Sequence, residues 1–198
     1  NLICSDNQLS SLDVSNNTAL TLIECGHNQL SDIDISNNTA LTRFWCNDNR
    51  LTNLDVSGVT ALRDLYCSRN QLSFLDVSSA TDLRELYCSE NQLIGLDISQ
   101  NTNLVLLSCS GNQLFSLDMR NGNNSVLYSL SCTNNPDLTC INVDDVALAN
   151  SKLTSLFPFM QPPWDIDSVA SFSTSCPPSV NITMIPDTNF EQALINLG

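Results

Sequence analysis

Cysteine recurs at positions 4, 25, 46, 67, 88, 109 and 132, a spacing of 21 residues five times over and then 23. A fixed period of that length marks a chain built as an array, so the fold question reduces to what one repeat can do. Other residues keep the same phase. Asparagine stands at 7, 28, 49, 70, 91, 112 and 135, and aspartate at 13, 34, 55, 76, 97 and 118. One unit, as in Leu20 to Ala40, reads L-x-x-L-x-C-x-x-N-x-L-x-x-L-D-V-S-x-x-T-A, with isoleucine exchanging for leucine or valine.

The apolar positions fall into columns. Leu20, Leu41, Leu62, Leu83, Leu104 and Leu127 open the repeats, and Ile23, Phe44, Leu65, Leu86, Leu107 and Leu130 follow, each two residues before a cysteine. A second group begins at Leu9, Leu30, Leu51, Leu72, Leu93 and Leu114 and ends on the pairs that flank each aspartate, such as Leu54 and Val56. Alternation of period two at Leu-x-Cys and again at Leu-Asp-Val predicts two short extended stretches per turn. One repeat alone cannot bury so many aliphatic side chains. Stacked neighbours can, which predicts a solenoid with one continuous core.

Within that core each ladder cysteine is read as a small packing hydrophobe. Rungs in register lie about 4.8 Å apart with their thiols pointing the same way, a poor geometry for bridging. No C-x-x-C pair is present, and a zinc site needs ligands that converge. The asparagine column is read as a structural ladder that satisfies backbone groups at each corner. The aspartate column stacks six like charges, at a cost of about 0.8 kcal/mol per neighbouring pair in a water-like dielectric. N–H bonds from the following turn offset that cost, so a calcium column is not required.

The repeat resembles the short, 21-residue class of bacterial leucine-rich repeats found in secreted surface proteins, and residues 1–126 match it almost throughout. The run Asn135-Pro136-Asp137-Leu138-Thr139-Cys140-Ile141 is similar to the opening of that family's C-terminal cap, which commonly closes on a second cysteine; Cys176 matches that position. The resemblance implies an α/β-type, strand-rich solenoid, an arc of about seven turns with a parallel sheet on its concave face. It also implies macromolecular binding without catalysis and without a cofactor. In a cap with little core of its own, Cys140 and Cys176 are read as a disulfide, contributing roughly 4 kcal/mol through loop entropy and placing the chain in an oxidising compartment.

The division expected is leucine-rich repeats over 1–126, the first of them truncated, the last repeat and cap over 127–176, and a linker with a cap-like helix over 177–198. Asn1 corresponds to the third position of a repeat, and Ile185 to Gly198 resembles the family's amino-terminal cap helix, with Phe190, Leu194 and Leu197 spaced i, i+4, i+7. The reading is a fragment of a larger protein with tandem repeat domains. A tail over 186–198 that covers the first repeat of a neighbour, joining molecules end to end, is compatible with it.

The formal charge of −14, with only seven basic residues, argues against nucleic acid and anionic membrane surfaces as partners. No apolar run approaches the length of a membrane span, so membrane insertion is not expected. The position between leucine and cysteine reads Ile3, Glu24, Trp45, Tyr66, Tyr87, Ser108, Ser131, which predicts an exposed aromatic stripe on the concave face. Arg43, Asp64 and Glu85 flank it, with Arg63 and Arg84 one residue earlier and Arg69 past the cysteine. The bland account is a solvated face whose aromatics make cross-strand contacts. The binding account is preferred, because Trp, Tyr and Arg clustered in an acidic protein have hot-spot chemistry. Planar rings suit protein or sugar ligands, and arginines suit their sulfate or carboxylate groups. His27 stacks with Asp6 and Asp48 near Ser5, but an open sheet provides no water-excluding pocket for a triad, and metal binding there is weak at best. The expected function is extracellular or cell-surface recognition of a protein or carbohydrate, the alternative being a structural spacer or self-assembling adhesin segment.

Overall fold

In a computed structural model of the chain, residues 1–153 and 164–177 are described. The first extended stretch of each turn becomes a strand of one parallel sheet, and the second forms a sheet of its own from Gly95 onward. The first holds eight strands: β1 (Leu2–Ile3), β2 (Leu22–Glu24), β3 (Arg43–Trp45), β4 (Asp64–Tyr66), β5 (Glu85–Tyr87), β7 (Leu106–Ser108), β9 (Ser129–Ser131) and β11 (Trp164–Asp165). The second holds β6 (Gly95–Asp97), β8 (Ser116–Asp118), β10 (Cys140–Asn142) and β12 (Ser171–Ser173). In the earlier turns the matching Leu-Asp-Val stretch carries no strand, yet its flanking aliphatics are buried in the same way from Ile33 onward.

Register follows the repeat. Ile23 pairs with Phe44, Phe44 with Leu65, Leu65 with Leu86 and Leu86 with Leu107, so each column of the sequence becomes a row along the solenoid. These side chains are fully buried, as are Leu41, Leu62, Leu83 and Leu104. Each contributes about 1.5–3 kcal/mol on leaving water. In the first described turn Leu2, Cys4, Leu9, Leu12 and Leu20 are only partly buried.

The cysteine column runs along the core as a row of small side chains. Cys25, Cys46, Cys67, Cys88, Cys109 and Cys132 are buried free thiols. Burial pushes Cys25 and Cys67 up to about 12 and holds Cys46 and Cys88 well above the ordinary thiol value. Such thiols are inert as nucleophiles.

Asparagine closes each corner. The Asn70 amide donates to the carbonyls of Cys67 (3.1 Å) and of Cys46 on the preceding rung (3.0 Å), while its oxygen accepts from Leu51 N–H at 2.9 Å. Asn91 and Asn112 repeat the pattern one and two rungs on. Each residue ties two turns together and satisfies three backbone groups that the bend would otherwise strand.

The expected aspartate turn is also present. Asp13, Asp34, Asp55, Asp76 and Asp97 each accept the N–H of the serine two residues on, at 2.8–2.9 Å. Bonds from Ser15 and Ser36, hydroxyl first and then N–H, hold Asp13 and Asp34 below the usual carboxylate range.

The cap continues the winding for one more turn. After β10 the chain enters α1 (Val146–Lys152), where the Asp145 carboxylate accepts from Ala147 and Leu148 N–H. β11 then joins the first sheet beside β9, and β12 joins the second beside β10. Trp164 is fully buried there, and its indole N–H donates to the Leu127 carbonyl at 3.1 Å. Asp167 ends the corner ladder: its carboxylate accepts the N–H groups of Asn134 (2.9 Å) and Asn135 (2.7 Å). Cys140 and Cys176 form a disulfide across this turn. The linker and the helix expected beyond 177, with the end-to-end contact over 186–198, lie outside the described residues.

Candidate functional site

The first sheet brings the aromatic column together as a single stack. Trp45 pairs in register with Tyr66 and Tyr66 with Tyr87. The Trp45 and Tyr66 ring centroids are 5.1 Å apart with planes 7° from parallel, and Tyr66 meets Tyr87 edge-on at 4.4 Å. The stripe is half-buried rather than exposed, because each ring covers its neighbour. The Trp45 indole N–H is buried without a hydrogen-bond partner among the described residues. Beyond Tyr87 the same column turns to hydroxyls, with Ser108 bonded to Ser89 and Ser131 to Ser110, each pair at 2.8 Å.

The charged residues divide into two groups. Arg43, Asp64 and Glu85 are consecutive in register, and Arg63 and Arg84 each stand one residue earlier on their turns. The Tyr66 hydroxyl donates to Glu85 at 2.5 Å. Burial first, and then that bond and the charge of Glu85, push the Tyr66 phenol upward. Burial and the Glu85 carboxylate on the next rung also lift Asp64 above its ordinary value, although Arg43, Arg84 and Arg63 pull the other way. Three nearby guanidinium groups fail to outweigh burial because none of them grips the carboxylate. Among the described residues Arg43, Arg63 and Arg84 make no ion pair within 4 Å, and all three are exposed.

Arg69 belongs to the second group. Its Nε lies 3.1 Å from Glu90 and its Nη1 lies 3.6 Å from Asp48, whose other oxygen is 3.6 Å from His27 Nε2. Asp48, Arg69 and Glu90 thus form a chain of alternating charge across three turns, with His27 a neighbour of Asp48 on the turn before. Among the described residues the only side-chain partners of the His27 ring are Asp48 and Asn47, with no hydroxyl in hydrogen-bond contact.

This column carries a backbone feature the sequence reading missed. Asp6, His27, Asp48, Arg69 and Glu90 all adopt the left-handed conformation, with φ between 53° and 56°, as do Gly111 at 67° and Asn134 at 58°. Such values cost roughly 1–2 kcal/mol for a residue with a Cβ. The signal available was mixed: Asp6, His27, Asp48, Gly111 and Asn134 are of types that favour this region, but Arg69 and Glu90 between them are not.

The first sheet thus presents an open face of packed aromatic rings flanked by exposed guanidinium groups. The period, the paired parallel sheets and the thiol ladder define a leucine-rich repeat solenoid. No family model matches the chain, and no curated protein matches it. Solved structures do. The chain is similar to the functional domain of InlJ from Listeria monocytogenes, which includes a cysteine ladder, with 28% identity over 73% of this chain and a TM-score of 0.60. An internalin, inlF, also from Listeria monocytogenes, matches 85% of it at 22% identity and a TM-score of 0.60. A leucine-rich repeat protein of Leptospira interrogans matches 81% at 20% identity and a TM-score of 0.51. The matched regions amount to 40%, 52% and 52% of those three chains. The chain thus has the leucine-rich repeat fold, with turns of 21 residues, a ladder of buried cysteines and a C-terminal disulfide, and is similar to bacterial proteins of that fold. No helix among the described residues is long and apolar enough to cross a membrane.

Proposed function

We propose that the chain is an extracellular recognition module that binds a protein or glycan through the face of its first sheet. Trp45, Tyr66 and Tyr87 form the platform, and Arg43, Arg63 and Arg84 supply the charged contacts. The carrying observation is the set of three exposed guanidinium groups without ion pairs, gathered beside the stacked rings of a protein with formal charge −14. Guanidinium forks that no internal carboxylate holds are free to take carboxylate or sulfate groups bidentately. Rigid aromatic area beside them adds contact at little entropic cost. Asp64 and Glu85 between the arginines give the face mixed sign, which selects against ligands of uniform negative charge. Arg69 has its charge answered by Glu90 and Asp48 and acts at the edge of the face by holding that corner's shape.

The disulfide supports placing the module outside the cell, since such bonds persist in oxidising compartments. The test is to probe glycan and protein arrays with the intact chain and with a Trp45→Ala, Tyr66→Ala, Tyr87→Ala variant that keeps its circular dichroism spectrum. Hits on the intact chain that vanish in the variant support the reading. Identical profiles, or no hits on either, overturn it.

A further inference from the structure

The second sheet carries a groove that the repeat pattern does not require. The position just before the repeat's Leu-Asp pair reads Asn53, Phe74, Gly95 and Ser116 along the solenoid, continued by Cys140 before Ile141-Asn142. At Gly95 the row loses a side chain, and a groove of about 560 Å³ opens there. Phe74, 44% exposed, and Phe115 form its apolar walls, and the carboxylates of Asp76, Asp97 and Asp118 form one rim. A Cβ at Gly95 would come within 3.0 Å of the Ser116 hydroxyl oxygen, so any side chain there would have to push that serine aside at the floor of the groove.

The rim shows within the molecule what it accepts. At Asp118 the carboxylate takes the N–H of Arg120 and also its guanidinium, with Nε at 2.9 Å from one oxygen and Nη2 at 2.5 Å from the other. Asp76 and Asp97 have the same turn geometry, with one oxygen accepting the N–H of Ser78 or Ser99. Their outer oxygens have no hydrogen-bond partner among the described residues, and residues 78 and 99, the equivalents of Arg120, are serines. One rung therefore supplies its own guanidinium, and the two rungs bordering the Gly95 opening do not.

We infer that this groove binds a basic peptide segment of another protein, an apolar side chain entering over Gly95 between Phe74 and Phe115 while flanking arginines or lysines engage Asp97 and Asp76. Charge complementarity selects this occupant. Residues 154–163 and 178–198 of this chain contain no lysine, arginine or histidine, so neither can supply the cation. In a second copy Arg43, Arg63 and Arg84 belong to the broad face of an eight-stranded sheet, and Arg50, exposed outside it, is a single cation where Asp76 and Asp97 together call for two. An extended peptide fits, because it places alternate side chains on one face about 6.6 Å apart. Aromatic walls also favour a cation lying beside them.

The test uses 15N-labelled chain and three synthetic peptides: acetyl-Arg-Gly-Leu-Gly-Arg-amide, the same peptide with glycine replacing leucine, and the same peptide with glutamate replacing both arginines. The first should bind with a dissociation constant below about 1 mM at low salt, shifting the Gly95 and Ser116 amide signals; the other two should bind at least about tenfold more weakly. Asp76→Asn with Asp97→Asn, and separately Gly95→Phe, should each cost at least about tenfold. Asp13→Asn with Asp34→Asn removes the same charge far from the groove and should change affinity by less than about twofold. The triple-alanine variant of the aromatic face should bind the peptide unchanged, which separates this site from the one proposed above. Several outcomes overturn the inference: equal loss in the two asparagine pairs, equal binding of the leucine and glycine peptides, full affinity in Gly95→Phe, or no binding. Self-association of the unliganded chain that the Asp76→Asn, Asp97→Asn pair abolishes also overturns it, and assigns the groove to a second copy.

Discussion

The Trp45 indole lies face to face with the Tyr66 phenol, centroids 5.1 Å apart, although a full repeat separates the two residues in sequence. Register makes the contact: β3 and β4 pair Trp45 with Tyr66, so any two aromatics in this column on consecutive turns must meet. A pair of this geometry contributes about 0.5–1.5 kcal/mol beyond its buried area. A double-mutant cycle over Trp45→Ala and Tyr66→Ala, read by urea denaturation, should give a coupling of that size. A coupling indistinguishable from zero would mean that the rings touch without stabilising one another.

The corner ladder makes a sharper claim about individual residues. Asn70 satisfies Leu51 N–H and the carbonyls of Cys46 and Cys67, all of them buried. Asn70→Ala leaves these groups unpartnered in the core and should cost about 2–4 kcal/mol. Asn7, exposed on the first turn, bonds only its own turn's Cys4 and Ser5 carbonyls, which water can reach. Asn7→Ala should cost less than about 1 kcal/mol. Chemical denaturation of both variants decides it; equal losses would show that the ladder's cross-turn bonds contribute little.

These two columns were legible in the sequence for a physical reason. Burial and hydrogen bonding at Cys46 or Asn70 are repeated on every turn, so the same residue type is demanded at each and periodicity reports it. The left-handed column was hard to read because its φ near 55° is imposed by the turn: Asp6, His27 and Asp48 are of types enriched in that region, but Arg69 and Glu90 are not, so no single residue type repeats. Trp164 was missed for the opposite reason. It fills the last turn of the core once, after Pro162 and Pro163, in a segment with no repeat to compare against. The aromatic–arginine face could be assembled from columns alone, but its half-buried stacking and the commitment of Arg69 to Glu90 depend on side-chain conformations that no spacing encodes. The Gly95 groove marks a place where a column loses its side chain.

The left-handed column predicts unequal effects for two neighbouring substitutions. Glu90 has φ 54° and carries a Cβ, whereas Gly111 on the next turn has φ 67°. Gly111→Ala should destabilise the chain by about 1 kcal/mol. Glu90→Gly should change stability by less than that or raise it, relief of the strained backbone opposing the lost ion pair with Arg69 and the added chain entropy. Thermal melts of the two variants test the order; a larger loss for Glu90→Gly than for Gly111→Ala would contradict the strain.

The thiol row makes stability depend on pH on the alkaline side. Burial raises the folded-state values of Cys25 and Cys67 to about 12 from an ordinary 9.0, and those of Cys46 and Cys88 well above it. A raised folded value means that the unfolded chain gives up its proton first. The contribution is therefore intact below about pH 9 and is lost as pH climbs toward 12, each thiol removing about 1.4 kcal/mol per pH unit within that window. Stability measured by urea denaturation in oxygen-free buffer should fall steeply there. Cys67→Ala should start less stable at neutral pH and decline less steeply; parallel curves would show that the row does not titrate as a buried set.

The disulfide tests how local the cap's role is. Cys140 lies in β10 and Cys176 three residues beyond β12, so the bond closes a loop of 36 residues around α1 and β11. Its removal by Cys140→Ser with Cys176→Ser should cost roughly 4 kcal/mol by loop entropy. In a solenoid each turn touches only its neighbours, so that loss should appear first where Trp164 and Asp167 cover the last rung. Hydrogen exchange is the measurement. Protection of Ser131 and Asn135 amides should fall before that of Phe44 and Leu65, whose neighbours are unaltered. Uniform loss from Phe44 to Ser131 would mean that the array unfolds as one cooperative unit and that the cap's contribution is shared along its whole length.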